Sequence, residues 1–177
     1  MKGIVFTEFL EMVEEKFGMQ VADEIVINAN LPSQGIYTSV GTYDHQEMVL
    51  LVNNLSQSSG IPVSQLLKAY GRHLFDRFSK VYGFFFRRAD NAFEFLSQIE
   101  NYIHVEVRKL YQDAELPRFD ISQIDPKTLE MIYESERGMA DFAEGLIEGC
   151  ILHFQEDISI QREDLKANKN QARFILS

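Results

Sequence analysis

Apolar residues recur every three or four positions along the first two thirds of the chain. Val5, Phe9, Met12, Val13 and Phe17 form one such series and Gly18 ends it, which predicts a helix closed by a glycine. "VADEIVINAN" continues as a second short helix, and the turn-rich "LPSQGIYTSVGTY" reads as a loop. Asp44 can cap a third helix, marked by Met48, Leu51, Val52 and Leu55 and ending before Gly60. Pro62 opens a fourth, "PVSQLLKAYGRHLFDRF", as proline does at a first helical turn. "KVYGFFFRRAD" reads as a loop. Ile99, Ile103, Val107 and Leu110 then mark an amphipathic helix that reaches back to about Ala92. His104 falls at the edge of that stripe, near Val107 and Tyr111, and Pro117 lies seven residues past Leu110.

After Pro117 the period changes from three and four to two. In "TLEMIYESER", Leu129, Met131, Tyr133, Ser135 and Arg137 alternate with Glu130, Ile132, Glu134 and Glu136, which predicts a strand with one solvated face. "GMADFAEGLIEGCILHFQ" follows as a helix with Met139, Phe142, Leu146, Cys150 and Phe154 on its inner stripe. "DISIQRED" and "QARFILS" read as two closing strands around the loop "LKANKN". The fold class is therefore α+β: a helical N-terminal part, and a C-terminal antiparallel sheet with a helix packed on it.

Composition narrows the function. With 177 residues the chain can bury roughly 70% of the surface it exposes unfolded. A net charge of −10 argues against nucleic acid and against an anionic membrane surface. No apolar run approaches the ~20 residues of a membrane span, and the N-terminal helix gains Glu8, Glu11, Glu14 and Glu15 too early for a signal peptide. Cys150 is the only cysteine, which excludes an intrachain disulfide and a cysteine-rich zinc site. A cytoplasmic location is expected.

Three features carry candidate chemistry. Strict alternation puts Tyr133, Ser135 and Arg137 on one inward face with no carboxylate among them, a set suited to an anionic ligand. The alternative is an Arg137 at the strand's end that meets an acidic residue from elsewhere. His104 fits a hydrogen-bonded core or rim histidine, or a single imidazole ligand to a metal held mainly by something other than protein. The other histidines, His45, His73 and His153, are scattered, and heme needs only one axial imidazole. Gly71 sits mid-helix on the face of Leu67, Leu74 and Phe78, where glycine costs roughly 1 kcal/mol relative to alanine. Something approaches closely there, either another helix or a flat ligand.

"YESER" matches the Tyr-x-Ser-x-Arg motif of the heme-nitric oxide/oxygen binding (H-NOX) family, related to the heme domain of soluble guanylate cyclase. "MKGIVFTEFLEMVEEKFG", "AYGRHLF", "IHVEVRKLYQDAELPRF" and "AEGLIEGCILHF" resemble its N-terminal, heme-flanking, proximal and post-clamp helices, in the family's order. The resemblance implies heme b between the helical and sheet parts, with His104 as axial ligand of the iron. It implies Tyr133, Ser135 and Arg137 as partners of the heme propionates, and Pro117, Val5, Gly71, Phe78 and Leu146 as packing around the ring. Oxygen-binding members carry a distal tyrosine. The matching position here is Phe142, with Phe9 and Leu74 at the supporting positions, so no donor is expected. A single cysteine also departs from the zinc site of some bacterial members, and no zinc is expected.

The resulting expectation is one domain over 1–177, a non-enzymatic gas sensor that prefers NO, and CO, to O2. Its output would pass to a separate protein, by resemblance a sensor histidine kinase or a cyclic-di-GMP enzyme. A heme-free helical interaction module and an O2-binding heme sensor are the competing readings.

Overall fold

A computed structural model describes residues 1–167 and 169–177. The first four helices follow the local signals closely: α1 (Gly3–Phe17), α2 (Met19–Ala29), α3 (His45–Ser59) and α4 (Val63–Val81). Gly18 and Gly60 end α1 and α3 with positive φ, where glycine has no Cβ to clash. The Asp44 carboxylate accepts from the Gln46 N–H at 3.0 Å and caps α3. Phe6, Phe9, Met12, Met48, Leu51, Leu55 and Tyr70 form the buried centre of this helical part.

Three segments depart from the sequence reading. The phenylalanine-rich stretch is not a loop: α4 runs on to Val81, and Gly83–Arg88 forms a 3-10 helix. Phe85 is buried there, and Phe86 stacks on Phe95 at 4.6 Å, so packing winds the chain. The helix through His104 is not continuous. It divides into α5 (Ala92–Ser97), a π-helical turn (Ile99–Ile103) and α6 (His104–Leu110). A strand absent from the sequence reading, β1 (Arg118–Asp125), follows Pro117. Only Phe119 of β1 is buried, so its apolar signal is weak; it is an edge strand with a single partner.

The sheet orders β1, β2 (Thr128–Glu134), β4 (Gln171–Leu176) and β3 (Ile160–Asp164), all pairs antiparallel. Leu129, Met131 and Tyr133 face the core as alternation predicts. The strand stops at Glu134, however, and Ser135 and Arg137 stand in the turn that follows. The loop expected between β3 and β4 is described except at position 168.

Helix α7 (Ala140–Phe154) packs on the sheet through Ala143, Ile147, Cys150 and Ile151. Its inner stripe is thus rotated from the expected one. Phe142, Leu146 and Phe154 are half-buried, and Met139 lies just ahead of the helix. The opposite side of α7 crosses α4 at glycines. A Cβ on Gly71 would lie 2.5 Å from the Phe142 carbonyl oxygen, and one on Gly145 would lie 2.2 Å from that of Lys68. Gly71 therefore reports a helix crossing. An ion network locks the crossing. Glu144 takes Lys68 of α4 and Arg162 of β3, and Asp141 takes Arg162 at 2.7 Å and Lys169 at 2.7 Å. Burial raises the Asp141 pKa, but hydrogen bonds from Lys169 and Arg162 outweigh it and hold it below the usual value. Gly145→Ala should lower stability by about 1–3 kcal/mol, because two backbones would have to part. Chemical denaturation checks this; a variant as stable as the parent would contradict the tight crossing.

Candidate functional site

Ile99, Ile103 and Val107 pack at the margin of the sheet-side core. With Leu110 they form part of the wall of a cavity of about 280 Å3. The cavity lies where the helical core and the sheet core meet, because both supply its wall. Val5 comes from α1, Leu74 and Phe78 from α4, Phe142 and Leu146 from α7, and Pro117 from the segment entering β1. The wall is overwhelmingly aliphatic and aromatic, as a site for a largely apolar cofactor requires.

His104 is the histidine on that wall, 8% exposed. Its Nδ1 pairs with Glu100 Oε1 at 3.1 Å, which leaves Nε2 as the ring nitrogen for a ligand. Burial pushes the imidazole pKa down, against the pull of the Glu100 carboxylate. Burial thus favours the neutral ring that ligation needs. His45, His73 and His153 stand elsewhere and do not line the cavity. Among the described residues no group of three or more His, Cys, Asp or Glu could hold a metal ion. A metal at His104 would therefore have to bring most of its own ligands.

Tyr133, Ser135 and Arg137 all reach the same cavity, though by a different route from strict alternation. Tyr133 is delivered by β2, and its phenol accepts from the Met139 N–H at 3.3 Å; burial raises its pKa. Ser135 and Arg137 are delivered by the turn, in which Ser135 Oγ accepts from the Arg137 N–H at 3.3 Å. Arg137 does meet an acidic residue from elsewhere. Its two terminal nitrogens donate to Glu115, at 2.9 Å to the carbonyl and 2.8 Å to Oε2. The Glu115 side chain is 85% exposed and that of Arg137 only 17%, so this carboxylate is a solvated and weak competitor for the guanidinium. Arg137 Nε donates to nothing among the described residues. A phenol, a hydroxyl and a guanidinium beside an apolar wall fit an anionic group on a flat apolar body. The imidazole fits its metal, so the donor set suits heme.

The family model described as Haem-NO-binding matches residues 2–162. The chain belongs to the haem-NO-binding (H-NOX) family. The Fe(II) unliganded H-NOX protein from K. algicida is 41% identical, with a TM-score of 0.95 over 99% of this chain and 95% of that one. The H-NOX from Shewanella woodyi, solved bound to IWP-051 in the Fe(II)CO state, is 39% identical, with a TM-score of 0.85 over 100% and 94%. The S. oneidensis H-NOX protein in the Fe(II)NO state is 27% identical, with a TM-score of 0.92 over 100% and 98%. No curated protein matches. H-NOX domains are heme-based gas sensors, and this chain shares their fold.

Two expected site residues of this H-NOX chain do not reach the cavity wall. Gly71 is covered by α7, as its crossing requires. Phe9 is fully buried, edge-on to Tyr70 at 5.1 Å. Tyr70 itself, missed in the sequence, stacks on Phe142 at 5.1 Å and donates its hydroxyl to the Val5 carbonyl. That phenol is already committed. Tyr82 was also missed, and Tyr111 was placed only as a neighbour of His104; both line the cavity, with hydroxyls 3.0 Å apart. The signal for Tyr82 lay in the four-residue step from Phe78, hidden by reading the segment as a loop.

Proposed function

We propose that this H-NOX chain, as a single domain over 1–177, is a non-enzymatic sensor that uses ferrous heme b to bind NO, and CO, in preference to O2. The observation that carries the reading is a single imidazole on an apolar cavity wall that also holds Tyr133, Ser135 and Arg137. When bound, the heme supplies an iron centre that takes up a diatomic gas and accepts one protein imidazole. His104 would hold the iron through Nε2, the clamp residues would hold the propionates, and Pro117, Val5, Phe78 and Leu146 would pack the ring. At the expected distal positions Leu74 and Phe142 offer no donor, Tyr70 spends its hydroxyl on Val5, and the Tyr82 and Tyr111 hydroxyls on the same wall are paired with each other. O2 carries partial negative charge when held and gains from a donor; NO and CO depend on one far less. That difference supports the preference for NO. The Shewanella relatives were solved in Fe(II)NO and Fe(II)CO states, which supports NO and CO as ligands.

Output would run through His104. If His104 let go of the iron, α6 would no longer be tied to the cavity, and the packing of the helical part against the sheet beside Pro117 would be free to shift. A separate histidine kinase or cyclic-di-GMP enzyme would read the changed surface beside α6. No described helix is long and apolar enough to cross a membrane.

Heme reconstitution of the purified chain tests the reading. An intense Soret band is expected, shifted by NO and by CO, with no stable oxy spectrum in air. A chain that takes up no heme would favour the interaction module, and a stable oxy spectrum would favour an O2 sensor. Within the clamp, Arg137→Ala should release heme to an acceptor protein roughly tenfold faster. A hydrogen bond from a charged donor contributes about 1.5–3 kcal/mol and a neutral one about 0.5–1.5 kcal/mol, so Ser135→Ala should do less. The reverse order would show that the hydroxyl, not the guanidinium, dominates retention.

A further inference from the structure

One carboxylate oxygen joins His104 to the sheet. Glu100 Oε1 pairs with His104 Nδ1 at 3.1 Å and accepts from the Phe119 backbone N–H at 2.8 Å. Glu100 lies in the π-helical turn that breaks the helix just before His104, a local widening frequent at functional sites. Phe119 is the second residue of β1, pairs in register with Tyr133 of the clamp, and sets its ring 5.6 Å from the Tyr133 ring. The His104 ring is 6.3 Å from Phe119. A continuous path therefore runs from the imidazole through Glu100 and β1 to the clamp.

We propose that Glu100 is a positioning residue that fixes the His104 imidazole for ligation and carries that imidazole's movement to β1. The inference rests on the reading of His104 as the axial ligand. A carboxylate at Nδ1 selects the tautomer with the proton on Nδ1, holds the ring plane and raises the basicity of Nε2. The same oxygen also receives the Phe119 N–H, so a displaced imidazole changes how that oxygen is shared. β1 is an edge strand whose only strand partner among the described residues is β2, so it can answer a change at Phe119 without breaking a second ladder.

The test compares the heme-loaded parent chain with Glu100→Gln and Glu100→Ala. Glutamine keeps an acceptor oxygen but removes the charge. The iron–histidine stretching frequency of the ferrous protein should fall in Glu100→Gln and fall further in Glu100→Ala. Glu100→Ala should also lose heme about tenfold faster, as second-layer partners of metal ligands do. Hydrogen exchange over residues 118–125 should respond to NO in the parent and lose that response in Glu100→Ala. An unchanged stretching frequency in Glu100→Gln, or exchange in the parent that ignores NO, overturns the proposal. If the parent loads heme, either result leaves the heme assignment standing, whereas a parent that takes up no heme removes both.

Discussion

His104→Gly is expected to leave the purified protein nearly colourless, and added imidazole to restore an intense Soret band. The cavity wall offers no other histidine, so the variant keeps the apolar walls and the clamp but loses its one imidazole nitrogen. Free imidazole can enter the space left by the ring. It must be supplied at about millimolar concentration or above, because tethering alone gives a side chain an effective concentration of that order. The reconstituted variant should bind NO yet fail to transmit, since its iron ligand no longer pulls on α6. Hydrogen exchange over residues 92–117 separates the two effects. It should differ with and without NO in the parent and stay the same in the imidazole-loaded variant. An undiminished Soret band without imidazole would remove His104 from the site. A parent whose exchange ignores NO would remove the movement of α6 while leaving the ligand assignment intact.

Phe142→Tyr should raise O2 affinity by roughly 10- to 100-fold. A hydrogen bond to a charged acceptor contributes about 1.5–3 kcal/mol, and 1.4 kcal/mol is a factor of ten. Phe142 is half-buried on the cavity wall, and its stacking on Tyr70 should hold the ring of the new phenol in place. Leu74 shares that wall, and a second donor there should hold the new phenol in place. NO affinity should change far less than O2 affinity. The measurement is O2 titration of the reduced protein, read against CO as a control. Equal O2 affinity in variant and parent would show that position 142 is too far from the gas to matter.

Much of the site was legible because it rests on short-range rules. The three- and four-residue period placed Ile99, Ile103 and Val107 on one face beside His104, and all four line the cavity. Alternation placed Tyr133 inward with Met131 and Leu129. It failed for Ser135 and Arg137, because the strand ends at Glu134 and a turn presents them instead. The partner that alternation could not supply, Glu115, comes from the segment before Pro117, twenty-two positions away. Gly71 illustrates the same limit. Its cost in a helix signals a close approach, but the approaching body is the backbone of α7, seventy residues on.

Local chemistry therefore settles where α1 and α3 stop and α3 begins, which face of β2 is apolar, and which side chains are able to ligate or clamp. Asp44, Gly18, Gly60 and the alternation of β2 act within a few residues and need no distant partner. Tertiary packing alone decides the rest. It winds the Phe84–Phe86 stretch into a 3-10 helix against Phe95, pairs the mostly polar β1 with β2, and seats Glu100 between His104 and Phe119. Each of these depends on groups far apart in the chain. Their free energy comes from burial and hydrogen bonds made only once both parts are folded, so no local pattern encodes them.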